Sequence, residues 1–214
     1  MSKQWIKIDD LRVNFENIPA REVSVVGAGV AGKEAIKKGL DSGAHVNVLD
    51  ISEDKLKDIE NSYGTDRISY INSTPDNIEE VISKSDLVVG SVYVVGKEAP
   101  KVITKKMLEA MKPGSVIVDI SIDQGGCIET SKPTTHDKPV FVEGGVVHYC
   151  VTNMPGAVPL TASLALNQAT LPFVKKIASV GLEKACALDA HLANGLNMAN
   201  GEIKHLSVES AFND

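Results

Sequence analysis

The sequence predicts a doubly wound α/β fold: a parallel sheet covered by helices on both faces, followed by a C-terminal helical extension. Three observations carry that expectation. Short Val- and Ile-rich runs alternate with segments whose apolar residues recur at helical spacing. The runs are apolar on both faces, as the strands of a buried parallel sheet are. One of them stops at a glycine-rich turn that opens directly into a helical pattern.

That turn fixes the first unit of the fold. Val23, Val25 and Val26 form a short β-branched strand that ends at Gly27, and Ala28, Gly29 and Val30 lead on to Gly32. The pattern G-x-G-x-x-G is the fingerprint of a Rossmann-type dinucleotide fold. Gly27 permits the tight turn, Gly29 admits a pyrophosphate to the backbone, and Gly32 lets helix and strand pack closely. Amides at the helix start then face the phosphate charge. A helical stretch over 33–41 follows, then a turn at Ser42 and Gly43, then the strand HVNVLD. Its last residue, Asp50, lies about 20 residues beyond the motif, where a carboxylate hydrogen-bonds ribose hydroxyls. It would repel a 2′-phosphate, and no Arg follows it, so NAD is expected over NADP.

Further along, RISYINS, LVVGSVYVV, SVIVDIS and VFVEGGVVHYC read as strands, with helices over 53–61, Pro75–Lys84 and 104–111 between them. Ser73 or Thr74 caps the second of these helices, with Pro75 in its first turn and Asp76, Glu79 and Glu80 in its N-terminal half. Lys112-Pro113-Gly114 is a turn. An Ala- and Leu-rich helix spans 160–178, and Pro172 inside it predicts a kink or break. Short helical pieces and a turn at Asn200-Gly201 complete the chain. The expected division is an atypical segment over 1–20, a nucleotide-binding domain over 21–155 and an extension over 156–214.

Composition excludes several functions. A net charge of −6 without a basic stripe gives no case for nucleic acid. No run of apolar residues is long enough to span a bilayer, and MSKQWIKIDD lacks the apolar core of a signal peptide, so a cytosolic protein is expected. Cys127, Cys150 and Cys186 are scattered, without a C-x-x-C pair, and read as small buried thiols. The five histidines do not cluster, and no metal site is expected. His148 reads as a core histidine and His136 as a loop residue.

Polar residues gather where strands end, which is where open α/β sheets bind ligands. GSVYVVGKEAPKVIT places Gly90 and Ser91 there, DISIDQGG places Asp119, Asp123 and Gln124, and VVHYCVTNMPGAVP places Asn153 and Met154. Asp123 is the sharpest chemical candidate. A carboxylate beside a nicotinamide can hold a water or an ammonium group as acid or base; an Asp before Gly-Gly is also a common turn cap.

The segments VVGAGVAG, APKVITKKMLEAMKPGSVIVDISIDQGG and TTHDKPVFVEGGVVHYCVTNMPGAVPLTASLALNQATLP together resemble the NAD-binding half of alanine dehydrogenase, from about Val23 to the end of the chain. The proton-translocating transhydrogenase is similar in fold and over the QGG segment, but matches less closely. The resemblance implies oxidation of L-alanine by NAD+ and water to pyruvate, ammonium and NADH. A hydride leaves the alanine Cα, and water attacks the resulting imine. It implies that Gly27 to Val30 touch the pyrophosphate and Asp50 the adenosine ribose, with Lys55 and Ser73 on the adenosine side. Val92 and Tyr93 would flank the cofactor, Tyr93 standing where an aliphatic residue is expected. Ile120, Asp123, Asn153 and Met154 would surround the nicotinamide and its ribose, making Asp123 the catalytic candidate.

The resemblance also implies a substrate domain ahead of the nucleotide fold, bearing an Arg, a Lys and a His for the amino acid. MSKQWIKIDDLRVNFENIPARE does not resemble it, and a companion chain carrying that half is one expectation. A non-catalytic NAD(H)-binding or oligomerisation module is the alternative. Without the substrate half, Leu160, Leu164, Leu171 and Phe173 would lie uncovered, and a homodimer or larger oligomer is expected.

Overall fold

The computed structural model describes residues 19–94 and 98–213. The expectations for residues 1–18 lie outside the described residues. The described residues form two compact units, one of residues 19–94 with 98–152, the other of residues 153–213.

Seven strands of the first unit make one sheet: β1 (Glu22–Val26), β2 (His45–Asp50), β3 (Ile68–Asn72), β4 (Leu87–Gly90), β5 (Val116–Asp119), β6 (Val140–Glu143) and β7 (Val146–Tyr149). Their order is β3-β2-β1-β4-β5-β7-β6, and every pairing is parallel except β6 with β7. The order reverses between β1 and β4, and a crevice opens at such a switch point.

Side-chain alternation assigns each face its helices. Val23 and Val25 of β1 pack with Ile36 of α1 (Val30–Asp41) and with Leu56 and Ile59 of α2 (Glu53–Tyr63). Val26 points the other way, toward Ile78 and Ile82 of α3 (Pro75–Lys84) and Met107 and Leu108 of α4 (Lys105–Leu108). The predicted sheet, covered on both faces, is what forms. Thr74, rather than Ser73, caps α3: its hydroxyl accepts the Asn77 amide at 3.3 Å, with Pro75 in the first turn.

Four local expectations need correction. VFVEGGVVHYC is not one strand but the hairpin β6–β7, because Gly144 and Gly145 take φ values of +62° and +81° and reverse the chain. The fourth strand stops at Gly90, and Ser91 to Val94 leave the sheet. The helix expected over 104–111 closes after one turn, although Thr104 caps it as an N-terminus should. Pro172 does not break its helix: α5 (Pro159–Val180) runs through it. Gln168, whose carbonyl Pro172 cannot serve, is an exposed residue, and the helix continues past that one missing hydrogen bond.

His148 is a satisfied core histidine. Its Nε2 lies 2.8 Å from the Thr130 hydroxyl, its Nδ1 lies 3.0 Å from the Val146 carbonyl, and its ring stacks on Phe141 at 4.7 Å. His136 sits in the turn between Thr135 and Lys138. Cys127 and Cys150 are buried as expected, but Cys186 is half-buried. Burial, together with the neighbouring Asp119 carboxylate, pushes the Cys127 thiol up to about 12. Burial also raises Cys150. Iodoacetamide at mildly alkaline pH should therefore label Cys186 in the native chain and spare Cys127 until the protein is denatured. Native labelling at Cys127, mapped by mass spectrometry, would contradict this packing.

The second unit holds α5, α6 (Leu182–Leu188), α7 (Ala190–Asn194), the hairpin β8 (Met198–Ala199) and β9 (Glu202–Ile203), and α8 (Leu206–Asn213). The predicted turn at Asn200-Gly201 joins β8 to β9, both residues with positive φ. Asp189 caps α7 through the amides of His191 and Leu192 and pairs with Lys176 at 2.6 Å. α5 has no buried residue, and Leu160 and Leu164 are 73% and 62% exposed. No helix among the described residues is long and apolar enough to cross a membrane.

Candidate functional site

A cleft of about 820 Å³ lies at the switch point, lined entirely by residues of the first unit. Its size falls within the range of small-molecule sites.

The glycine turn forms its floor, and each glycine has a different reason to be there. Gly27 has φ +103°, and a Cβ there would stand 2.6 Å from the Ser91 carbonyl oxygen. A Cβ on Gly32 would stand 1.9 Å from the Gly27 carbonyl oxygen, so α1 can approach β1 only through hydrogen. Gly29 has extended backbone dihedrals, and a Cβ would meet nothing within 4 Å. Nothing in the protein itself therefore requires glycine at 29. The space is one that a ligand backbone could enter.

The helix behind it is left uncapped. Ser52, Thr74 and Thr104 each cap a helix with a side-chain oxygen, whereas Gly29 offers α1 none, and the first turn of α1 carries no acid. The leading amides of a helix need partners and carry a partial positive charge. A phosphate supplies both.

Asp50 lies beside that helix start at the cleft. The carboxylate is only 6% exposed, accepting the Ala28 amide at 2.7 Å and the Ser52 amide at 2.9 Å. Lys55 approaches at 3.9 Å. Asp50 thus pins the glycine turn to the end of β2, and each carboxylate oxygen keeps a lone pair for a further donor. Asp50 is not the solvated turn residue that a chance glycine pattern would leave.

Two serine hydroxyls tie the cleft's loops together. Ser91 donates to the Gly27 carbonyl at 2.7 Å, and Ser121 donates to the Val92 carbonyl at 2.7 Å. The sequence marks these serines only by their places at strand ends. Beyond them Val92, the 61% exposed Tyr93 and Ile120 present an apolar surface. Asp123 stands exposed at its edge in the 3-10 turn Ile120–Gln124.

Of the residues expected at the site, Gly27, Gly29, Val30, Asp50, Lys55 and Ser73 line the cleft. So do Val92, Tyr93, Ile120 and Asp123. Ala28 and Gly32 do not: the Ala28 side chain is in the core and its amide is held by Asp50, while Gly32 serves packing. Asn153 and Met154 are not among the lining residues and begin the second unit, Asn153 with φ +54° before the 3-10 turn Met154–Ala157. No group of three metal-ligating side chains occurs among the described residues.

Comparison with known proteins gives the chain its relatives. Residues 12–206 match the family model described as alanine dehydrogenase/PNT, C-terminal domain. An alanine dehydrogenase of Halomonas elongata is 52% identical over 194 residues, covering 91% of this chain and 52% of that protein. A solved L-alanine dehydrogenase superposes with a TM-score of 0.81 at 43% identity, over 92% of this chain and 54% of the other. A transhydrogenase from Sinorhizobium meliloti gives 0.68 at 28% identity, over 89% and 51%. The chain spans about half the length of the curated relatives it matches.

Proposed function

The chain belongs to the alanine dehydrogenase/PNT C-terminal domain family, and from that premise we propose that it is the NAD-binding portion of an NAD-dependent alanine dehydrogenase. The observation that carries this reading is the uncapped start of α1 at Gly29, open to the cleft and facing the Asp50 carboxylate.

The residues fit NAD. The amides from Gly29 onward hold the pyrophosphate. Asp50 takes the adenosine ribose and disfavours a 2′-phosphate, with Lys55 and Ser73 on the adenosine side. Val92, Tyr93 and Ile120 give the nicotinamide an apolar wall, and NAD+ supplies the hydride acceptor when bound. Asp123 holds the water that attacks the imine and takes its proton. Asn153 and Met154 are assigned to the nicotinamide end on the resemblance alone. Residues 21–155 make up the NAD-binding domain and 156–214 its extension.

L-alanine and pyruvate are the proposed substrates, and the Arg, Lys and His that orient them belong to the substrate half of the full-length relatives. The chain should therefore form NADH from L-alanine and NAD+ when that half is supplied, as a companion polypeptide or a fusion. Absence of turnover in a folded, NADH-binding mixture that contains both halves would overturn the dehydrogenase reading.

The exposed apolar residues of α5 favour self-association as a second property. Sedimentation should report a dimer or a larger homo-oligomer, and a monomer at micromolar concentration would contradict it.

A further inference from the structure

We propose that Asp119 is a positioning residue, which holds the loop bearing Asp123 and Gln124 as a rigid ledge at the cleft. The inference rests on the nucleotide reading of that cleft.

Asp119 ends β5 and is fully buried. Its carboxylate accepts the Ser121 amide at 3.0 Å, the Cys127 amide at 3.0 Å and the Ile128 amide at 3.2 Å, and the Ser131 hydroxyl at 2.7 Å. No ion pair to Asp119 is formed among the described residues, so the amides of the loop balance its charge themselves. These donors come from both ends of the loop. One carboxylate therefore ties the start of the 3-10 turn to its exit.

The loop's carbonyls are secured from the other side. The Ala99 amide donates to Gln124 at 2.9 Å, and the Val102 amide to Cys127 at 2.9 Å. The Lys101 ammonium donates to the carbonyls of both Gly125 and Gly126. Within the loop, Gly125 and Gly126 donate to Ile122 and Ser121. Between an anion that gathers its amides and a cation that gathers its carbonyls, the backbone has little freedom left. Asp123, by contrast, is exposed and makes no hydrogen bond among the described residues. A loop fixed this completely, with one carboxylate left facing the cleft, is built to present that carboxylate.

Asp119→Asn turns an N–H donor toward donors, and Lys101→Met, at an exposed position, frees the two glycine carbonyls. Both variants, the unmodified chain and Ile82→Ala, a core change on α3, would be compared by thermal unfolding, amide hydrogen exchange and NADH titration at low temperature. Asp119→Asn is expected to lose protection at Ser121, Cys127 and Ile128 and to weaken NADH binding at least about tenfold. Lys101→Met is expected to weaken it about threefold. Ile82→Ala should lower the unfolding temperature with NADH affinity within about twofold of the unmodified chain. Wild-type protection and affinity in folded Asp119→Asn would overturn the proposal, and should that variant not fold, the same result in Lys101→Met would do so. If the unmodified chain binds no NADH, the nucleotide reading fails by itself and the exchange data alone decide the role of Asp119.

Discussion

Gly29→Ala should leave the fold standing and remove nucleotide binding. The added methyl meets no protein atom within 4 Å, and the backbone at 29 is extended, so no strain arises. The cost is that of Ala for Gly at an N-cap, about 0.5–1 kcal/mol, or a few degrees in unfolding temperature. NADH affinity should fall by about 100-fold, near 3 kcal/mol, because the methyl fills the space through which the pyrophosphate reaches the amides of α1. Gly32→Ala should behave in the opposite sense. Its methyl would overlap the Gly27 carbonyl oxygen at 1.9 Å, and the loss of about 3 kcal/mol should appear in folding before any ligand is added. Thermal unfolding and calorimetry on the two variants separate a glycine kept for a ligand from one kept for packing. A Gly29→Ala chain with unchanged NADH affinity would mean that the helix start is not the phosphate site.

Asp50→Ala should damage both properties together. Its carboxylate accepts the Ala28 and Ser52 amides, and deleting it leaves the Ala28 amide buried without its acceptor, at a cost of about 1–3 kcal/mol in stability. Binding should weaken by a further 1–2 kcal/mol or so, from lost charge-assisted hydrogen bonds to the ribose. The discrimination against NADPH should shrink as well, since the repelling charge is gone. Denaturant unfolding with parallel NADH and NADPH titrations checks all three. Unchanged NADH affinity would remove Asp50 from the site.

Much of this was legible in the chain itself, because local chemistry and global fold agree there. The alternating valines of β1, the glycine turn and Asp50 at the end of β2 are one continuous βαβ unit, and its parts lie where their spacing puts them. Pro75 after Thr74 marks the start of α3 in the same local way. Sequence and structure part where one signal serves two purposes. Val92 to Val94 extend an apolar run that reads as strand, yet these residues leave the sheet after Gly90 and line the cleft. The apolar residues on both sides of Gly144-Gly145 hid a hairpin whose signal was the glycine pair. The role of Asp119 was not readable, since its donors are brought to it only by the fold of 121–131. Asn153 and Met154 rest on resemblance, for no local pattern ties them to the cleft residues.

Calorimetric titration of the purified chain with NADH, and with NADPH as the control, tests the central claim most directly. An intact site predicts micromolar binding of NADH with NADPH weaker by about 100-fold, as a charge opposing the 2′-phosphate requires. A folded chain that takes up neither nucleotide would contradict the claim, and its kinship to the dehydrogenases would then describe ancestry without function.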